Sequence, residues 1–139
     1  MRRILISGRF RVATRGKAFW AGWALSLLPV PLFVFSALMK FEGGPEIEQG
    51  FAHLGMPLTL RIPLGVLELS CVAIYVVPRT AVLGAVLMAG YLGGAICTHL
   101  RVGDPFFTQI LLGIALWLGL WLRESRLQAL LPLRSPSGE

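Results

Sequence analysis
The chain has 139 residues, of which 55% are hydrophobic and 14% charged, and its 13 Lys and Arg against 7 Asp and Glu set a net charge of +6. A mean hydropathy of +0.72 belongs to an integral membrane protein rather than to a soluble domain of this size. The basic excess does not point to nucleic acid, because the cations flank apolar runs instead of forming a patch that would track a backbone.

Four apolar runs follow in chain order: 18–39, 58–77, 81–98 and 106–122. Each is near the roughly 20 residues that a helix needs to cross about 30 Å of hydrocarbon. Backbone polar groups in lipid must be satisfied within the segment, so the expected fold is all-α: an integral membrane four-helix up-down-up-down bundle, a single transmembrane domain over 1–139 with a tail from 123 to 139. In the first run, Pro29 and Pro31 each remove a backbone donor and crowd the preceding turn, which predicts a bent or locally broken helix. A cleavable signal peptide is the alternative reading of this run, with Val34-Phe35-Ser36 as a passable cleavage site, but the apolar stretch is too long for one.

Between the first and second runs, Gly44-Pro45-Glu46 opens a helix whose apolar residues Ile47, Phe51 and Leu54 recur at helical spacing and which Gly55 stops. This predicts a short amphipathic helix lying on the membrane face as a lid. Pro78-Arg79-Thr80 is so short a link that the second and third helices must be antiparallel neighbours, with Thr80 as N-cap. In the last link, Asp104 is expected to cap the fourth helix and Pro105 to open it.

Orientation follows from the cations on alternate sides. Arg2, Arg3, Arg9, Arg11, Arg15, Lys17, Arg79, Arg123, Arg126 and Arg134 make ten on one side; Lys40, Arg61 and Arg101 make three on the other. Both termini are therefore expected in the cytoplasm of a cell with the protein in its inner membrane. Trp20, Trp23, Trp117 and Trp121 fall near the same ends, at the level where amphipathic rings favour the headgroups.

Glu68 stands out because it lies in the middle of the second run. A carboxylate at the bilayer centre costs about 2.5–3.5 kcal/mol on insertion scales, so it faces a partner or a cavity. Arg61, Leu64, Gly65, Glu68, Val72 and Tyr75 share one face of that helix; Gly84, Met88, Tyr91, Ala95 and Thr98 share a face of the next, with His99 alongside. Glu68 and Tyr91 lie at similar depth, about 12 Å from the outer ends of their helices. The candidate site is thus a polar pocket of Lys40, Arg61, Glu68, Tyr91 and His99. Two readings stand side by side: a structural fastener in which Glu68 pairs with Arg61 or Lys40, and a protonatable ligand site. Tyr91, His99 and His53 taken singly are more often core or interfacial residues than functional ones. Cys71 and Cys97 lie in separate runs with no metal-ligand spacing, so no metal is expected. Ala81, Ala85, Ala89, Gly93 and Cys97 recur every four residues, a pattern that lets helix backbones approach; packing inside the bundle is favoured over a dimer or partner interface.

Several stretches in order resemble the DoxX-like family of small four-span membrane proteins: Ser36-Ala37-Leu38-Met39-Lys40, Phe51-Ala52-His53-Leu54-Gly55, Gly65-Val66-Leu67-Glu68-Leu69, Pro78-Arg79-Thr80, Leu83-Gly84-Ala85, Gly90-Tyr91-Leu92-Gly93-Gly94-Ala95 and Thr98-His99-Leu100-Arg101. The resemblance covers roughly residues 18 to 122. It implies a four-helix membrane bundle and marks Lys40, Glu68 and His99 as the positions to carry over. The family takes its name from subunits associated with quinone-linked sulfur and oxygen metabolism, while other relatives are linked to redox homeostasis or membrane-protein assembly. Three functions follow as expectations. The first is a noncatalytic accessory or assembly component that contacts the lipid bilayer and a membrane-protein partner or a second copy of itself. The second is a quinone-binding redox component centred on Glu68, and the third a small dimeric proton-coupled carrier.

Overall fold
The computed structural model describes residues 16–130, and within them every regular element is helical. The first apolar run forms two helices, α1 (Lys17–Leu27) and α2 (Val30–Glu42), separated at Leu28 and Pro29. The break has the expected cause. Leu28 still donates its N–H to Ala24 O, while Pro29 becomes the N-cap of α2 and accepts from Phe33 N–H, so the missing proline donors fall where a first turn leaves them unused.

The amphipathic helix α3 spans Pro45–His53. It ends in a Schellman turn: Gly55 adopts φ 63°, its N–H reaches Ala52 O, and Met56 N–H reaches Phe51 O. A single 3-10 turn at Leu58–Leu60 leads into α4 (Arg61–Val76), followed by α5 (Ala81–Val102), α6 (Phe107–Arg123) and the short α7 (Ser125–Leu130). Thr80 does occupy the N-cap position of α5, but its hydroxyl donates back to Ile74 O and Val77 O rather than capping forward. The third helix also runs four residues beyond the expected Thr98, to Val102.

Three stretches, Lys17–Glu42, Leu58–Val76 and Ala81–Val102, are long and apolar enough to cross a membrane; Phe107–Arg123 is apolar but has 17 residues. At about 1.5 Å per residue, α6 reaches about 26 Å, slightly less than the hydrocarbon thickness. The helices close a ring in which α1 packs along α6, α2 along α4, α4 along α5, and α5 along α6. Tyr75, Met88, Leu116 and Leu120 fill its middle, and the Tyr75 hydroxyl donates to Leu116 O.

The tightest helix approaches lie toward the end at which α1 begins and α6 ends. A Cβ on Gly84 would run into Tyr75 Cα, and one on Gly119 would stand 2.5 Å from Ser26 N. Gly22 meets Gly119 and Arg123 from the opposite side. These glycines, rather than the four-residue stripe on α5, set the closest spacing. Of that stripe Ala81 and Ala85 are buried, whereas Ala89, Gly93 and Cys97 are exposed, so packing inside the bundle accounts for only its first half. Arg2, Arg3, Arg9, Arg11, Arg15 and Arg134, which carry most of the charge asymmetry, lie outside the described residues.

Candidate ligand-binding site
The site is built from the C-terminal turn of α2. Gly43 and Gly44 leave that helix at φ 76° and 110°, a left-handed exit that side chains rarely adopt. The space a Cβ would take at Gly43 is filled by the Arg61 guanidinium. Arg61 Nη1 donates to the carbonyls of Lys40 (2.6 Å) and Phe41 (3.0 Å), which a helix C-terminus otherwise leaves unpaired. Arg61 is therefore a cap that holds the end of α2 onto the start of α4. It does not line the cavity described below.

With its backbone held in this way, Lys40 leans toward the preceding turn, the direction helical side chains favour. Its ammonium donates to Ser36 Oγ (2.6 Å), to Ser36 O (3.3 Å) and to Glu68 Oε2 (2.8 Å), so all three donors are used. Ser36 Oγ passes its own proton toward the same Oε2 at 3.3 Å. The pair is dry on one side, with the Glu68 side chain 2% exposed and that of Lys40 15%. Gly65, one turn before Glu68, lets α4 approach Phe41 and Ala37 of α2, which brings the carboxylate within reach of the lysine. Of the two partners that the sequence allowed for Glu68, the geometry selects Lys40.

Above this pair the α2/α4 and α5/α6 pairs separate around a cavity of about 540 Å³. Its walls are apolar, from Leu32 and Phe33 on α2, Leu64 and Leu67 on α4, Leu92 on α5 and Leu112 on α6. Polar groups from four helices enter it: Ser36 and Lys40 from α2, Glu68 from α4, Tyr91, Thr98 and His99 from α5, Thr108 and Gln109 from α6. Gln109 Oε1 is buried without a hydrogen-bond partner. Lys40, Glu68, Tyr91 and His99 thus share one cavity, and Arg61 supports it from outside.

The roof is α3, whose buried Phe51 and the following Leu54 and Met56 close the cavity. A polar latch holds it. Arg101 on α5 donates to Leu54 O, and Asp104 takes His53 Nε2 at 2.9 Å and His99 Nδ1 at 3.3 Å. The hydrogen bond from His53, with a smaller one from His99, holds the Asp104 carboxyl below its ordinary value. The expected role of Asp104 as cap of the fourth helix is therefore corrected: the N-cap of α6 is Phe106, without a side-chain cap, and the helix begins at Phe107. Gly103, at φ 78°, turns the chain so that Asp104 N–H bonds back to His99 O, which aims the carboxylate at α5 and α3 instead of along α6. The sequence contains this signal only as the Gly103-Asp104 step; nothing local says that His53, 51 residues earlier, is the partner.

Apolar helices long enough to cross a membrane, one of them broken at proline, enclose a cavity with an ion pair in its wall, and this defines a helical membrane protein with an internal cavity. The family model described as DoxX-like family matches residues 24–123. The chain belongs to that family. A search of curated proteins returns no match, and a search of solved structures returns none.

Proposed function
We propose that this DoxX-like protein crosses the inner membrane four times, with both termini cytoplasmic, and serves as a noncatalytic component that holds a lipid-soluble quinone for a membrane redox partner. One observation carries this reading: a Lys40–Glu68 pair in the wall of an otherwise apolar cavity whose volume lies in the range of small-molecule sites. A pair serving only as a fastener gains nothing from a large cavity beside it. The residues fit a quinone headgroup, which needs donors for its carbonyl oxygens, a protonatable neighbour and an apolar groove for its tail. Lys40 can exchange its longest contact, 3.3 Å to Ser36 O, for a ligand oxygen without leaving Glu68. Tyr91 and His99 supply further hydrogen-bonding groups from the facing helix. When bound, a quinone supplies two-electron, two-proton chemistry, with electrons from the partner; this chain orients the headgroup and keeps water out beneath α3.

The test is to purify wild-type protein and Glu68→Gln in mild detergent, extract both, and quantify quinones by mass spectrometry. Near-stoichiometric quinone in the wild type that falls away in the variant supports the reading. Equal amounts in both, or none in either, overturn it. The assembly role is favoured separately by the exposed outer half of the α5 stripe, Ala89, Gly93 and Cys97, a surface on which another helix could seat closely. Cross-linking at Cys97 in native membranes, followed by identification of the adduct, tests that role; only uncross-linked monomer counts against it.

A further inference from the structure
The cavity wall has a gap. Tyr91 and Thr98 face inward from α5, but around the edge of the same helix, on the side toward α4, Gly90 and Gly94 also line the cavity while being exposed on the outside of the molecule. A Cβ added at either would meet nothing within 4 Å. The facing edge is Leu64 and Leu67 of α4, and Leu67, although it lines the cavity, is 48% exposed. Nearer the α4–α5 link the same two helices touch at Gly84 and Tyr75, so the gap opens only above that contact.

Depth decides what the gap faces. Gly94 is eight residues from the end of α5 at Val102, and Glu68 is seven from the start of α4 at Arg61. At 1.5 Å per residue both lie roughly 10–12 Å from the lid end, and Gly90 lies one turn deeper. The gap therefore faces hydrocarbon rather than headgroups, whereas the route from the water side is roofed by α3 and latched through His53, Asp104 and Arg101.

We infer that Gly90 and Gly94 form a lateral window between α4 and α5, through which the ligand enters from the bilayer and through which its hydrocarbon tail remains in lipid while its headgroup meets Lys40 and Glu68. This inference rests on the ligand reading above and makes it more specific: the substrate class is a headgroup on a long tail, and the two glycines select for that tail. A Cβ at these positions has open space, so leucine starts into the opening without a backbone clash, and its bulk blocks the window while raising helix propensity. Gly93, also exposed and open but lining a different groove toward α6, is the control.

The experiment uses the full chain in lipid nanodiscs and equilibrium binding of two radiolabelled probes, a polyprenyl benzoquinone and the same headgroup without its tail. Gly90→Leu/Gly94→Leu should weaken the tailed probe about tenfold or more and leave the tailless probe within about twofold. Gly93→Leu should change neither, and thermal melts should confirm that all variants are folded. Unchanged binding of the tailed probe in the double variant overturns the window. Equal loss of both probes also overturns it, because the substitutions would then act on the headgroup site. If wild type binds neither probe, the quinone reading itself is wrong and the window as a quinone portal goes with it.

Discussion

Replacing Lys40 with methionine should be the most damaging single change at the ion pair. The substitution keeps the length of the apolar stem but leaves Glu68, whose side chain is 2% exposed, with only the 3.3 Å hydrogen bond from Ser36. Removing one partner of a buried pair costs about 3–5 kcal/mol, and the surviving serine contact argues for about 3 kcal/mol. Glu68→Leu is milder. Lys40 then keeps both Ser36 contacts, has a side chain that is 15% exposed, and sits two residues from the end of α2, so its ammonium can shift toward water. That variant should lose about 1–2 kcal/mol. Lys40→Met/Glu68→Leu removes both charges and should return to within about 1 kcal/mol of wild type, since an apolar pair of similar volume replaces a costly desolvated one. The coupling between the sites is then on the order of 3–5 kcal/mol. Reversible unfolding in mixed detergent micelles, followed by far-ultraviolet circular dichroism, gives the four free energies of the cycle. Additivity of the single changes to within about 0.5 kcal/mol would refute the argument that these two side chains stabilise each other.

Glycine spacing predicts opposite signs on one helix. Gly84→Ala should destabilise by about 1–3 kcal/mol, because the new methyl meets the Tyr75 backbone, whereas Gly90→Ala should be neutral or stabilise by up to about 1 kcal/mol; the same unfolding assay reads both. Arg61→Met should cost about 1–3 kcal/mol by freeing the Lys40 and Phe41 carbonyls, and Arg61→Lys should not restore it, since one ammonium on a different stem does not reproduce the guanidinium seated in the Gly43 notch. For the latch, Asp104 is held below its ordinary value of 3.8 by His53, so its contribution is present above that value and is lost as pH falls through the lower folded one. A spin label at Gly50→Cys, where a side chain has open space, should therefore report a more mobile α3 below about pH 3.8 than at pH 5. In Asp104→Asn the label should be mobile at both pH values, and an unchanged spectrum would show that α3 is held by Arg101 and packing alone.

Local chemistry made much of this protein legible before any contact was known. Apolar run length locates the helices because each must satisfy its own backbone in lipid, and the proline pair places the break between α1 and α2 because its missing donors are a property of two residues. Gly55 ends α3 for an equally local reason, the left-handed turn. Burial of Glu68 was likewise implied by the cost of a carboxylate facing hydrocarbon. Partnership was not legible. Lys40 and Arg61 were both within plausible reach of Glu68, and only the close approach of α2 and α4 at Gly65 gives the ion pair to Lys40 and the α2 carbonyls to Arg61. Asp104 looked like a cap because its neighbours in sequence are a glycine and a proline; the turn at Gly103 and the placement of α3 make it a bridge between two histidines. The glycines divide in the same way: Gly22, Gly84 and Gly119 are packing surfaces and Gly90 and Gly94 line an opening. A sequence determines which segments are helical and which residues cannot face lipid, because those are energies of single segments. Which side chains meet depends on the azimuth and splay of helices far apart in the chain, and these are set only when the helices pack.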